Sequence, residues 1–326
     1  MTIRIALLGT DNTHGHQFAG FINGWAKEVP LPFEWKHGFL PQFYTWAKAL
    51  REAEHDPSVS VPSPDARVTS IWCSDHDSAA LLARACGIER HTANPYDAIE
   101  GSDAVLVLTE DPASHYELAK AALERGLPTF VDKPLTPDSQ TNRKLSDLAA
   151  KHRAPWFTGS AFRFSQSLRR FAATLPETVG RVTALYVEVA GPLDFYGIHA
   201  VEIANVLTPL GDVTELQGFQ SCNRGGALLT LASPITVMIE TIRTSLDPPG
   251  HAIVYGERGF AHWEPSDGYL ATLGMVSAFI QMAKTSIPPM SPEESLLIAN
   301  LALEVTEAAA RGAGARVLRN AKSGHP

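Results

Sequence analysis

The sequence predicts an α/β protein of two domains, a parallel sheet wrapped in helices followed by a larger, mostly antiparallel open sheet. Three observations carry this. Short continuous apolar runs alternate with helical patterns in the first half, and strand-like segments then follow one another with few helices between them. The length of 326 residues also exceeds the roughly 100–200 residues of one ordinary domain. Domains over 1–154 and 155–326 are therefore expected. A composition 44% hydrophobic and 19% charged excludes a disordered chain.

The first half reads in repeating units. Residues 3–9 form an apolar run ending at Gly9, then a polar loop, then Phe18, Phe21, Ile22 and Trp25 at helical spacing. A second strand over Arg67–Ser74 leads to a helix bearing Ala80, Leu81, Leu82 and Ala83 and stopped by Gly87. Asp103–Thr109 is the next strand, followed by a helix from about Ser114 to Arg125 that Gly126 ends. Thr129–Val131 is short and buried in type, with a helix around Leu145 and Leu148 after it. Strands apolar on both faces, joined by helices, imply a parallel sheet, because crossover helices must lie on its faces. Residues 29–66 break the pattern with Phe33, Trp35, Phe39, Phe43, Tyr44 and Trp46, an insertion expected to serve as a lid, a subunit contact or a packed lobe.

In the second half, Arg181–Ala190, Val213–Cys222, Ala227–Ala232, Pro234–Arg243 and His251–Tyr255 read as strands, and His199–Leu210, Tyr269–Lys284 and Pro292–Arg311 as helices. The last helix opens with Glu293 and Glu294, the charge that a helix N-terminus favours.

A formal net charge of -8 argues against nucleic acid or an anionic membrane as partner. No segment approaches the roughly 20 apolar residues of a membrane span, and the first residues read as a strand rather than a signal peptide. Cys73, Cys86 and Cys222 form no C-x-x-C pair and are odd in number. A cytoplasmic protein without a disulfide framework or cysteine zinc site is expected, with Cys73 as a small core residue.

Four places carry candidate chemistry. The first strand ends in Gly9-Thr10-Asp11-Asn12-Thr13-His14-Gly15-His16, where a dinucleotide fingerprint would read G-x-G-x-x-G. Gly9 matches, while Asp11 and His14 stand where the second and third glycines belong. The helix start still offers an anion its N–H groups, with Thr13 as a candidate cap. Asp75, after the second strand, suits an adenosine ribose and favours NAD over NADP, or simply caps the following helix. Lys133, in Val131-Asp132-Lys133-Pro134, emerges where open α/β sheets bind ligands and can polarise a hydroxyl; alone, it also reads as a surface lysine. His199 shares a stripe with Ile203 and Val206, as a core histidine or as an acid–base group oriented by Glu202.

Together these residues resemble the glucose-fructose oxidoreductase, inositol dehydrogenase and rhizopine catabolism (Gfo/Idh/MocA) family. Val131-Asp132-Lys133-Pro134-Leu135 is similar to its E-K-P motif, and Gly197-Ile198-His199 to the end of its D-x-G-x-H motif, with Phe195 at the aspartate position, Asp194 one residue early and Tyr196 next to it. The resemblance implies a nicotinamide-binding first domain of Rossmann type. Its cofactor contacts would be Gly9, Thr10, Asp11, Asn12, Thr13, His14, Asp75, Thr109, His115 and Lys133. It further implies Lys133 polarising the hydroxyl of a sugar or cyclitol, His199 exchanging its proton with Tyr196 and Asp194 beside it, and a homodimer or homotetramer formed through the second sheet. The altered glycines keep open net non-redox chemistry, such as elimination, epimerisation or glycoside cleavage, on the same fold. A metal-dependent hydrolase using Asp11, His14 and His16 is a further alternative, although a barrel should not contain a run of helix-free strands.

Overall fold

The computed structural model describes residues 2–26, 63–244, 250–312 and 316–318. Apart from residues 63–66, the expected insertion lies outside them. The chain forms two compact units. The first takes the described residues up to Thr136 with Gln140–Thr158 and Met275–Pro292, and the second takes Pro137–Ser139, Gly159–Gly274 and those from Glu293 on.

The first unit runs β1 (Ile3–Leu8), α1 (Thr13–Asn23), β2 (Ala66–Trp72), α2 (His76–Ala85), β3 (Arg90–His91), α3 (Pro95–Ile99), β4 (Ala104–Val107), α4 (Pro112–Leu123), β5 (Thr129–Val131), α5 (Ser139–His152) and β6 (Trp156–Phe157). Its sheet is parallel throughout, in the order β3-β2-β1-β4-β5-β6. The chain direction across the sheet reverses between β1 and β4, and at such a switch point the carboxyl ends of the strands leave a ligand crevice. Ile5, Leu7, Leu8, Val105, Leu106 and Val107 are fully buried, each burial contributing about 1.5–3 kcal/mol.

Side-chain caps start the helices. Asn12 accepts from the N–H groups of His14 and Gly15, so Asn12 rather than Thr13 caps α1, its carboxamide reaching the donors that a helix start leaves open. Asp75 caps α2, Asn94 caps α3 and Asp111 caps α4. Two glycines permit close approaches at the β1 turn, Gly9 to the segment after β4 and Gly15 of α1 to the turn itself. Gly9 has φ +110, and a Cβ there would lie 2.4 Å from the Thr109 nitrogen. A Cβ on Gly15 would lie 2.4 Å from the Gly9 oxygen.

The second unit has a 3-10 turn (Ala161–Phe164), then α6 (Gln166–Thr178), β7 (Val182–Ala190), α7 (Leu193–Leu207), β8 (Val213–Gln220), β9 (Arg224–Leu231), β10 (Thr236–Ile242), β11 (Gly250–Gly256), β12 (Gly259–Trp263), the first part of α8 (Gly268–Thr285), α9 (Pro292–Arg311) and β13 (Arg316–Leu318). Its sheet has the order β12-β11-β7-β10-β9-β8-β13, antiparallel except where β10 runs parallel to β7. Helix α7 packs on β7 and β10 through Ala200, Val201, Ile203 and Ala204 against Val187, Val189, Val237 and Ile239. The alternate residues Tyr186, Glu188 and Glu240 point to the opposite face, where Tyr186 donates to Glu188 and Glu240 and Arg224 reaches both carboxylates.

The structure corrects the sequence expectation in several places: α3, α6, β3, β6 and β13 were not expected. Helix α7 begins at Leu193, six residues ahead of His199, because Pro192 can stand just before a helix and nothing from Leu193 to Ile198 interrupts one. Strand β12 was not expected; Gly256 pairs with Gly259 across Glu257-Arg258, a tight hairpin that Gly259 permits with φ +136. No helix among the described residues is long and apolar enough to cross a membrane.

The close approach at Gly15 is testable. Gly15→Ala should force α1 away from the β1 turn and lower stability by about 1–3 kcal/mol, read as a fall in the thermal midpoint, whereas an unchanged midpoint would show that the helix start yields freely.

Candidate active site

The carboxyl edge of the first sheet is organised by Asp132, directly after β5. Its carboxylate is buried and meets the His14 ring at Nδ1 with both oxygens, at 2.9 and 2.8 Å. The Lys133 backbone N–H donates to Oδ1 at 2.8 Å, and the Asn12 carboxamide lies 3.4 Å from Oδ2. Burial alone would push this carboxyl up; His14, Lys133 and His115 outweigh it and hold the group at about 2.

Lys133 is only 6% exposed, in contrast to a surface lysine. Burial draws its ammonium down to about 8 from an ordinary 10.5, against the opposing pull of Asp132 and Glu110. The peptide to Pro134 is cis.

The remaining residues of the β1 turn divide. Thr10 is buried, its hydroxyl donating to Ser78 at 2.9 Å and its carbonyl meeting His16 Nε2 at 3.0 Å. Burial lowers the His16 imidazole to about 4. Asn12 also donates to the Leu108 carbonyl at 2.9 Å. Asp11 Oδ1 is buried with no partner among the described residues, and burial raises this carboxyl's pKa despite the Glu110 N–H. Thr13 is half-buried in the first turn of α1. Beyond β4, the Thr109 hydroxyl meets Ser114 at 2.7 Å. His115 is turned fully inward, with Nδ1 2.9 Å from the Leu135 carbonyl and Nε2 2.9 Å from that of Thr109. It is a strut between α4 and the segment after β5. Asp75 is exposed and uses Oδ1 to accept from Ser78 N–H at 3.0 Å.

The nicotinamide dinucleotide implied by the resemblance can be tested against these residues. An exposed carboxylate after β2 suits a ribose, and Gly9 supplies the turn. The close-packing role of the third glycine passes to Gly15, one position later. At the second glycine's position stands Asp11, a half-buried carboxyl whose pKa burial raises. The residues fit, with side chains replacing some of the backbone approach.

In the second unit, the half-buried His199 lies in the second turn of α7. Its Nδ1 is 2.6 Å from the Ser160 hydroxyl, which also accepts from Phe162 N–H. The Tyr196 and Phe162 rings lie 5.5 and 5.8 Å from its own. Tyr196 packs on Gly191, where a Cβ would lie 2.5 Å from the tyrosine ring. Asp194 is exposed in the first turn. Glu202, considered as the ring's orienting group, pairs with Arg163 at 2.7 Å and accepts from Ser160 N–H; Arg163 also reaches Glu294 at 2.6 Å. Burial raises the Glu202 pKa, with Arg163 opposing.

Sequence reasoning missed Ser160 and Asp132 as partners of the two histidines, because each contact joins residues far apart in the chain. Gly15 was legible as a displaced glycine. The hydrolase alternative loses its basis: there are two open sheets rather than a barrel, and no group of three or more His, Cys, Asp or Glu among the described residues could hold a metal.

Residues 49–160 match a family model described as "Oxidoreductase family, NAD-binding Rossmann fold" (GFO_IDH_MocA). A myo-inositol dehydrogenase of Streptomyces leeuwenhoekii is 36% identical over 86 residues, 26% of each chain. A scyllo-inositol 2-dehydrogenase (NAD(+)) of Bacillus subtilis is 30% identical over 95 residues, 28% of each. The matched segments thus span about a quarter of these curated relatives. In fold the likeness covers nearly the whole chain: the crystal structure of GenD2 from gentamicin A biosynthesis, in complex with NAD, covers 98% of this chain and 97% of its own, with a TM-score of 0.75 at 17% identity. The match to the Gfo/Idh/MocA family model covers 112 of the 326 residues, and the likeness to the solved structures, at 17% identity, is one of fold.

Proposed function

We propose that this protein is a nicotinamide-dependent dehydrogenase acting on a secondary hydroxyl of a sugar, cyclitol or related polyhydroxylated small molecule, with NAD preferred over NADP. The observation that carries the reading is the buried Lys133, drawn down to about 8 at the carboxyl edge of a parallel sheet. A buried ammonium costs stability, so its retention at a ligand crevice supports a chemical role. Lys133 donates to the substrate oxygen and stabilises negative charge developing there. A bound nicotinamide supplies the acceptor for the hydride that leaves the carbinol carbon.

Asp75 accepts from the adenosine ribose hydroxyls, and its charge disfavours a 2'-phosphate. Gly9, Thr10, Asp11, Asn12 and Thr13 form the turn beside the pyrophosphate. His115 is left out of the contacts because both ring nitrogens are engaged inside the unit. His199, with Tyr196 and Asp194 on the same helix, is the acid–base group that the family resemblance implies. Self-assembly through the face of the second sheet opposite α7 is proposed on the same footing, as is a reducing cytoplasm, which the three free cysteines suit. The inositol dehydrogenases among the relatives support the substrate class.

Purified protein offered myo-inositol, scyllo-inositol and aldoses should reduce NAD faster than NADP. Lys133→Met should lower kcat by about 100-fold or more while nucleotide binding persists. A polyol converted with no net change in the nucleotide would instead establish the non-redox alternative.

Asp75→Ala should shift preference toward NADP by about tenfold, on the order of 1.4 kcal/mol, read as the ratio of kcat/KM for the two cofactors. An unchanged ratio would reduce Asp75 to a helix cap.

Lys133 also sets a pH dependence of stability. Its folded pKa lies below the unfolded value, so the unfolded chain binds the extra proton between about 8 and 10.5 and stability rises with pH across that window. Below it the buried charge costs about 3 kcal/mol. Lys133→Met should therefore be the more stable protein at pH 7, with the difference narrowing toward pH 10 in denaturant titrations; a parallel offset at every pH would contradict the buried-charge account.

A further inference from the structure

We propose that His14 is a second acid–base group of the Lys133 site, exchanging a proton with the substrate hydroxyl through Nε2 while Asp132 holds Nδ1. The proposal rests on the reading of Lys133 as the centre of a dehydrogenase site and assigns a role to a residue standing where a fingerprint glycine would be.

That glycine's task is close packing of the first helix on the first strand. Here Gly15 performs it, with its Cβ position 2.4 Å from the Gly9 oxygen, so residue 14 is free to carry a side chain. The side chain present is placed for proton transfer. Nδ1 lies 2.9 and 2.8 Å from the two oxygens of a buried carboxylate, and in both the neutral and the cationic ring an Nδ1–H donating to Asp132 keeps that nitrogen occupied. The proton that comes and goes is then the one on Nε2. The Phe18 ring stacks on the imidazole at 5.9 Å and limits its tilt.

His115 is the internal comparison. Both of its nitrogens meet backbone carbonyls and it is fully buried, as expected of a histidine that only holds structure together. His14 has one nitrogen engaged, its side chain is 19% exposed, and Nε2 meets no partner among the described residues. Asp132 links the ring to Lys133: its Oδ1 also accepts the Lys133 backbone N–H at 2.8 Å, and the Lys133 ammonium favours its charge. The charged and titratable groups around the pair are Asp132 itself, Lys133 and His115, which act on Asp132, and Asp11, whose charge opposes it; Glu110 acts on Lys133.

The step balances within the chain's own groups. The substrate O–H bond breaks, its proton passes to Nε2, and its electron pair stays on the oxygen facing the Lys133 ammonium. The resulting imidazolium is neutralised by Asp132.

The test uses the full chain in two arms. In the first, wild-type protein labelled with 15N-histidine, without cofactor or substrate, is titrated by NMR. The His14 ring should show a protonated Nδ1 throughout and an Nε2 whose protonation follows pH. A neutral ring carrying its proton on Nε2, or an Nε2 that never titrates, overturns the proposal, and this arm is decisive even if no polyol is oxidised and the dehydrogenase reading itself fails. In the second arm, His14→Gln is compared with wild type on the polyol that is turned over. Expected are a kcat about 100-fold lower, loss of the acidic limb of the kcat–pH profile, and KM and nucleotide affinity within about threefold. A kcat within threefold of wild type, an intact acidic limb, or a loss confined to nucleotide affinity would show that His14 serves only structure. Should His14→Gln fail to fold, Asp132→Asn is read by NMR instead: release of Nδ1 with the ring still ordered supports the dyad, and an unchanged ring overturns it.

Discussion

The Asp132 carboxylate is the constraint on which the edge of the first sheet depends. In that sheet β4 lies between β1 and β5, yet the segment after β1 reaches the ends of both: Asn12 donates to Leu108 after β4, and His14, in the first turn of α1, meets Asp132 after β5. An isolated carboxylate so buried would cost several kcal/mol. It persists because a ring nitrogen, a backbone N–H and the nearby Lys133 and His115 all favour its charge, enough to hold it at about 2. The same charge acts on Lys133, opposing the burial that draws the ammonium down. One group therefore orients a histidine and tunes a lysine.

The β1 turn shows why a glycine fingerprint is better read as a set of physical tasks than as letters. The conformational task stays with Gly9 at φ +110, against the Thr109 nitrogen. The packing task moves one residue to Gly15. The task of letting backbone approach a phosphate is not kept as such: Asn12 takes two N–H groups of the helix start, and Asp11 places a half-buried carboxyl there. Counting letters, two of three glycines are missing; counting tasks, one is altered.

This also separates what was legible in the sequence from what was not. Strands β1, β2, β4 and β5 and the helices after them follow from local periodicity, while the two-residue β3 and β6 and the short α3 are too brief to show one; the edge position of Lys133 follows from a proline-terminated apolar run. Ser160 and His199 meet across 39 positions, and His14 and Asp132 across 118; no pattern local to either member announces such pairs. The early start of α7 was obscured because Gly191 and Pro192 read as loop, while Leu193, Phe195 and Tyr196 carry no helix signature of their own. That shift matters, since it places Asp194 and Tyr196 on the helix that carries His199 rather than on a loop before it.

The second unit uses the same device with different parts. Glu202 is fully buried one turn along His199's own helix, and its charge is met by Arg163 and the Ser160 N–H. Gly159 has φ +143, and a Cβ there would lie 2.4 Å from Glu202 Oε1, so the segment can pass only without a side chain. Ser160 then presents its hydroxyl to the His199 ring at 2.6 Å. Asp132 orients its histidine directly, whereas Glu202 fixes the backbone of the residue that meets the ring. In both units a buried carboxylate holds an imidazole, directly or through a serine, while Val187, Val189, Val237 and Ile239, and Ile5, Leu7 and Leu106, form apolar interiors; the second sheet buries two further carboxylates, Glu188 and Glu240, against Tyr186 and Arg224. A fold seeking stability alone would not bury these carboxylates, because apolar residues of similar volume serve as well or better. The histidine that each of Asp132 and Glu202 holds, directly or through Ser160, is the physical reason to look for acid–base chemistry at both.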